Sequence, residues 1–351
     1  MASHSILSTI RGLRLVDVDV ATRATVAGGI PMVILVATGN SSLVPYAAFG
    51  ALTAIYGRSE PYKIRLRTLA IAGLMLMGTV ALGLTLAVTA APLWIISLAL
   101  VAVVIGGILI AQIGALMPAT ALFPAMTMLI CAQIQTPSDQ FWLRFAITSA
   151  SVVFAATITM SGWLFRRLPL TSSANLLSSL ERVTELQPQS AMNAHVWSVI
   201  GLNVAGVLLA GTLAIALNVG HAYWAIVAVI AVMPAPYAPQ TLTRGIHRVV
   251  GTLAGVGVAA IIFMFEPGPW ILVGIWAVCQ FMTEILVSQN YGIALVFVTP
   301  FVLAITELSS PVSSSVVLTD RVVATMIGAA AGMLLVWLAR DPVVGNSTLK
   351  S

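Results

Sequence analysis

Residues 93–110 read LWIISLALVAVVIGGILI, eighteen positions that are apolar or small and carry no charge. As an α-helix this stretch is about 27 Å long, close to the roughly 30 Å hydrocarbon core of a bilayer. A helix apolar on every side needs burial on every side, and lipid supplies it. Outward from it, polar or Pro/Gly breaks delimit similar runs near 21–38, 42–57, 68–90, 114–133 and 143–164. A second set lies near 197–218, 221–236, 249–265, 269–287, 291–307 and 319–339. The expected fold is an all-α polytopic membrane protein of about twelve transmembrane helices, six on each side of a polar linker. The second and eighth runs are short for a full crossing and read as tilted or re-entrant.

Composition agrees. Of 351 residues 59% are hydrophobic and only 8% charged, against about 25% charged in ordinary soluble domains, and the mean hydropathy is +1.03. A sizeable catalytic domain in water is excluded, because the longest polar stretch runs only from about Arg166 to His195. Cys131 and Cys279 both sit in apolar runs, which removes a disulfide framework and a cysteine metal cluster. The net charge of +5 is scattered over short loops, so it reads as orientation signal and not as a nucleic-acid surface. Asp17 and Asp19 interrupt the place where a cleavable leader would keep its apolar core. Residues 1–20 are therefore expected to form a cytoplasmic amphipathic arm using Ile6, Leu7, Ile10 and Leu13.

Basic residues set the orientation. With the N-terminus in the cytoplasm, Arg11, Arg14, Arg23, Arg58, Lys63, Arg65, Arg67, Arg166, Arg167, Arg182, Arg244, Arg248, Arg340 and Lys350 fall inside, and only Arg144 and Arg321 fall outside. That asymmetry is what the positive-inside rule requires, and it puts both termini in the cytoplasm of a bacterial-type inner membrane. The halves also read as copies. Trp94 and Pro124 are 30 residues apart, as are Trp270 and Pro300; Tyr56 and Arg67 are 11 apart, as are Tyr237 and Arg248. Six spans per copy is even, so the copies (21–165 and 197–340) are expected to face the same way about an axis normal to the membrane. Between them, Leu176, Leu177, Leu180, Val183 and Leu186 predict a short amphipathic helix in the cytoplasmic linker 166–196. Ser178 and Glu181 stand at capping-box spacing and Pro188 ends it; 341–351 is a cytoplasmic tail.

Several of these stretches resemble a known family. Tyr56-Gly57-Arg58-Ser59-Glu60-Pro61-Tyr62-Lys63 resembles the first basic loop of the fusaric-acid-resistance-like (FUSC) membrane proteins. Tyr223-Trp224-Ala225 and Arg244-Gly245-Ile246-His247-Arg248-Val249-Val250-Gly251-Thr252 resemble that family's aromatic, basic and Gly-Thr signature. Asn290-Tyr291-Gly292, Thr299-Pro300 and Asp320-Arg321 fit the same pattern. The resemblance implies an exporter of aromatic or other organic acids, distantly similar to the aluminium-activated malate transporters. The chain departs from larger members in having no big cytoplasmic domain.

Candidate site residues follow from charge inside or beside the spans. Lys63, Arg65 and Arg67 precede one span, and Arg244, His247 and Arg248 take the equivalent place in the other half. Converging there, they would draw an anion to the inner mouth; otherwise they fix topology and bind lipid head groups. Arg144 and Arg321 each open a sixth span, where an anion site and, for Arg321, a structural pair with Asp320 are alternatives. Glu284 is a carboxylate inside an apolar run, with Gln280 one turn back; it reads as a proton-coupling group or as a structural carboxylate. Pro31, Pro118, Pro124 and Pro300 lie within spans, and Pro124 and Pro300 point to helix breaks beside a central cavity. Gly251/Gly255 and Gly328/Gly332 read as packing seams.

Enzymatic apparatus is not visible. Asp17-Val18-Asp19 lies where acids simply favour a helix start, no phosphate loop occurs, and the histidines lack zinc spacing, so no cofactor and no metal are expected. A monovalent anion leaving an inside-negative cell gains about 2.3 kcal/mol per 100 mV, on the order of a fifty-fold gradient. The sequence thus reads as an exporter or channel for small organic anions, aromatic carboxylates first, moved through a cationic path by membrane potential or proton coupling. Its expected partners are the lipid bilayer and the anions, with a homo-oligomer or envelope-complex partner open and no nucleic acid. A non-transporting scaffold of an envelope-synthesis complex and a translocator of lipid-linked substrates are the alternatives.

Overall fold

The computed structural model describes residues 15–165, 182–233, 242–309 and 314–339. Within them lie twelve α-helices: α1 Leu15–Ala37, α2 Val44–Ala51, α3 Tyr62–Val88, α4 Leu93–Ile113, α5 Leu122–Gln133 and α6 Phe141–Phe165, then α7 Ala194–Ala216, α8 Tyr223–Val232, α9 Leu242–Phe263, α10 Pro269–Val287, α11 Tyr291–Ser309 and α12 Ser314–Leu338. Among the described residues there is no strand. Nine helices among the described residues are long and apolar enough to cross a bilayer, namely all but α2, α5 and α8.

The three short helices owe their length to burial. Every residue of α2 and of α8 is buried, so neither meets lipid and neither has to cover the bilayer's thickness. Ten residues of α8 span about 15 Å, half the hydrocarbon core. Three-ten turns at 41–43 and 52–55 extend α2 at both ends. The sequence marks α2 and α8 as short but reads the fifth span from residue 114. Instead Gly114–Ala121 forms a connection, and α5 starts only at Leu122. Pro118 lies in that connection, outside any span, because proline withholds a backbone donor and restricts the residue before it.

Helix pairings recur six helices apart. In the first half α2 packs on α6, α3 on α5 and α6, and α1 on α2 and α6; in the second, α8 packs on α12, α9 on α11 and α12, and α7 on α8 and α12. Between the halves, α4 meets α7 as α10 meets α1, and α5 meets α8 as α11 meets α2. Close approach depends on glycine at both α2–α6 and α8–α12. A Cβ on Gly50 of α2 would stand 2.6 Å from the Ser151 Cβ of α6, and one on Gly328 of α12 would collide with the Ala225 carbonyl of α8. Gly251 and Gly255 likewise lie against α11, at Gly292 and Thr299, as packing seams.

One end of the bundle, where α1 begins, is tied by charge. Arg58 pairs with Asp17, whose Oδ1 also accepts from Ser288 Oγ at 3.4 Å. Residues 182–187 strap across this near end and are not helical. The Arg182 side chain reaches Glu60 at 3.8 Å and the Ala115 carbonyl at 3.0 Å, while the Gln187 amide donates to the Ile113 carbonyl at 2.8 Å. The linker helix expected from Leu176 to Leu186 therefore does not include 182–187. Its backbone donors are spent on α4 and the first basic loop, and Pro188 begins a three-ten turn at 188–192 where it was expected to end a helix. Its earlier part at 166–181, including the Ser178–Glu181 cap, and the arm and tail at 1–14 and 340–351 lie outside the described residues.

Candidate functional site

A cavity of about 440 Å³ lies between the two halves, with walls from α1, α2, α5, α8, α10 and α11. Phe49, Tyr223, Trp224, Trp276 and Phe301 give it aromatic faces, and Gln133, Gln135, His221, Gln280, Thr306 and Ser309 give it polar ones. Among the described residues no Lys, Arg, Asp or Glu lines it. Pro45 and Tyr223 begin their helices or nearly so, and Gln133 and Ser309 end theirs, all at the far end of the bundle; the cavity therefore reaches that end. Its deep end is α10, through Trp276 and Gln280.

Trp276 is held by shape. Its ring lies over Gly28 and Gly29 of α1, and a Cβ on Gly28 would collide with it. The side chain is 3% exposed and its indole Nε1 has no hydrogen-bond partner in the protein, so a donor stands unused in the wall of the cavity. One turn on, Gln280 Nε2 donates to Glu284 Oε1 at 3.3 Å. One turn further, Ser288 meets Asp17, and Arg58 on Asp17 lies within electrostatic reach of Glu284. A single face of α10, at 276, 280, 284 and 288, thus carries polar groups from the cavity floor to the near end.

The basic candidates lie elsewhere, and none lines the cavity. Lys63 is exposed. Arg65 is buried beneath the first basic loop, donating to the Gly57 carbonyl at 3.1 Å and to the Thr159 carbonyl at 3.4 Å. Arg67 donates to the Thr184 carbonyl of the strap at 2.8 Å. Arg144 is enclosed by acceptors, with Tyr46 Oη at 2.8 Å, Thr136 Oγ1 at 2.6 Å and Gln140 Oε1 at 2.8 Å. In the second half Arg244 stacks on Tyr291 at 5.1 Å and His247 packs on Gly292. Arg248 and Arg321 are both buried.

Two further expectations change in detail. Asp320 does not pair with Arg321; its Oδ2 meets His221 Nδ1 at 2.6 Å, while Arg321 lies 5.0 Å from the Trp224 ring centroid. Pro300 interrupts the middle of α11, one residue before Phe301 of the cavity, whereas Pro124 is the third residue of α5, where its missing donor removes no helical bond. The sequence reading missed Trp276, Phe49 and Phe301. The spacing of Trp276 from Gln280 and Glu284 is a usable signal; Phe49 and Phe301 carry none, since an aromatic in an apolar run looks the same facing lipid or cavity.

Comparison with known proteins supports the resemblance seen in the second half. Residues 207–335 match the fusaric acid resistance protein-like family, which covers α8–α11, the second part of α7 and most of α12. The chain is similar to an uncharacterized membrane protein of Bacillus subtilis, YvaC, at 34% identity over 127 residues, 35% of this chain and 20% of the relative. It is also similar to an uncharacterized protein of Synechocystis at 29% identity over 136 residues, 38% of this chain and 18% of the relative. The match therefore spans about a fifth of either relative's length. No solved structure matches the chain significantly.

Proposed function

We propose that this chain is a transporter that exports small aromatic organic acids across a bacterial inner membrane, through the cavity between two like-facing six-helix repeats. The observation that carries the reading is that cavity: about 440 Å³ walled by five aromatic rings and neutral hydrogen-bonding groups, of the size and lining that bind a one- or two-ring ligand. The recurrence of helix pairings six helices apart supports the two-repeat architecture. The family description speaks of fusaric acid resistance, and fusaric acid is a small aromatic acid.

With both termini cytoplasmic, the near end is the inner face and the cavity faces outward. The acid's ring lies among Phe49, Trp276 and Phe301, and its polar head meets Gln133, Gln280 and the free indole N–H. Glu284 sits one turn below Gln280 and exchanges the coupling proton with the inner face along the Ser288–Asp17–Arg58 side. Lys63, Arg65, Arg67, Arg244, His247, Arg248, Arg144 and Arg321 bias the path through their summed field and not by contact.

The test is flux of benzoate from liposomes holding the purified protein. Saturable flux that falls with Trp276→Ala and is unchanged in Gly274→Ala, an exposed position with no neighbour within 4 Å, supports the reading. Flux no faster than from empty liposomes overturns it.

A further inference from the structure

Arg248 and Arg321 come from opposite ends of the bundle, on two helices that pack together. α9 rises from the near end and α12 descends from the far end, and the two pack together, with Gly245 against Met333. Arg248 is the seventh residue of α9 and Arg321 the eighth of α12, so each is about 10 Å in from its own helix end. Both are buried, at 5% and 3% exposure, and their charges are close enough to oppose one another. The intervening turns carry the buried hydroxyls of Thr252 and Thr325, and Thr299 of α11, whose Oγ1 has no partner, packs on Gly255 of α9.

Among the described residues no acid answers these charges, and Arg321 has only the face of the Trp224 ring, 5.0 Å from its centroid. Neither guanidinium has a hydrogen bond or ion pair among the described residues; the Nε is buried and unpartnered in Arg67, Arg144, Arg248 and Arg321 alike, so the halves differ at the terminal nitrogens. Asp320, next to Arg321 in sequence, is turned to His221, and Glu284 is bonded by Gln280. The first half supplies the control. Arg67 and Arg144 hold the equivalent places in α3 and α6, and the protein itself binds the terminal nitrogens of both, through Thr184 in one case and Tyr46, Thr136 and Gln140 in the other. Two buried like charges in apolar surroundings are unfavourable unless a counter-charge joins them.

We propose that the second half binds one compact monoanion between Arg248 and Arg321, behind the Trp224 wall of the cavity. Its chemistry is that of a halide or a carboxylate head, with two guanidinium forks and the Thr299 hydroxyl as donors. The site goes beyond the transport reading and does not depend on it, because neither arginine lines the cavity and Arg321 lies against the ring of Trp224, a residue of the cavity wall.

The test is thermal unfolding of the purified full chain in detergent at fixed ionic strength. Bromide or benzoate replaces gluconate, the strongly hydrated reference anion. A saturable rise in Tm of a few degrees is expected with the anion that fits. A response to bromide identifies a bulk halide as the occupant, and a response to benzoate alone identifies an organic acid. The rise should vanish in Arg248→Gln and Arg321→Gln and persist in Arg67→Gln. Should the glutamine variants not fold, Arg248→Lys and Arg321→Lys keep the charge, lose the fork, and should bind at least ten-fold more weakly. The proposal is overturned by equal Tm in all three anions, or by a rise that the Arg248 and Arg321 variants retain in full.

Discussion

His221 Nδ1 meets Asp320 Oδ2 at 2.6 Å, joining the α7–α8 connection to the outer turns of α12 beside the mouth of the cavity. The same imidazole stacks on Trp224 with ring centroids 4.8 Å apart, and Arg321 lies over Trp224 as well. One carboxylate thus fixes the ring that forms part of the cavity wall, and by facing His221 it leaves Arg321 without an acid.

Asp320→Asn keeps the size of the side chain and removes its charge. The partly exposed His221 contact should lose about 1–2 kcal/mol of stability, seen as a lower Tm in detergent. His221→Ala should cost a similar amount and free Asp320 to turn to Arg321. In His221→Ala the anion-dependent rise in Tm should therefore shrink.

Trp276 and Gly28 set the depth of the cavity. Gly28→Val puts a branched side chain where the Trp276 ring lies, so the ring must swing into the cavity and flux of the larger aromatic acids should fall before that of benzoate. Trp276→Ala removes an aromatic contact worth about 1 kcal/mol. It should raise the KM for benzoate about five-fold with a smaller change in maximal rate, read from initial flux rates.

Glu284→Gln retains a hydrogen-bonding partner for Gln280 but cannot release a proton. Benzoate–benzoate exchange should continue near the original rate, while accumulation driven by an imposed pH gradient should be lost. Unaltered gradient-driven accumulation would remove Glu284 from the coupling.

Gly50→Leu and Gly328→Leu test the two close helix approaches. Each side chain would meet backbone, at Thr148 or Ala225, and not a flexible chain end. Each should cost at least about 2 kcal/mol, measured by unfolding in detergent, while Gly274→Leu, where no neighbour lies within 4 Å, should be neutral.

Cys131 and Cys279 are buried, so engineered cysteines can be labelled against a quiet background. Asn40→Cys at the far end should react with an impermeant maleimide added to whole cells. Ser59→Cys, at the near end, should react only after lysis. Labelling of both from outside would contradict the orientation with the near end in the cytoplasm.

The amino-acid sequence alone determined that the chain is a series of long apolar helices, most of their places, and that lipid is their solvent. An apolar run of about 20 residues is a local property, and a bilayer demands it whatever the neighbours are. It also marked α2 and α8 as short and set Glu284 apart as a buried acid. Tertiary structure decided which groups those charges meet: Asp320 met a histidine 99 positions away and not the arginine beside it, and Arg67 and Arg248, alike in sequence, came out with a terminal nitrogen bonded in one half and with no hydrogen bond among the described residues in the other. The cavity wall was likewise legible only in three dimensions. Whether an aromatic on an apolar helix faces lipid, a neighbour or a void depends on how that helix is rotated against five others, and every rotation looks the same along the chain.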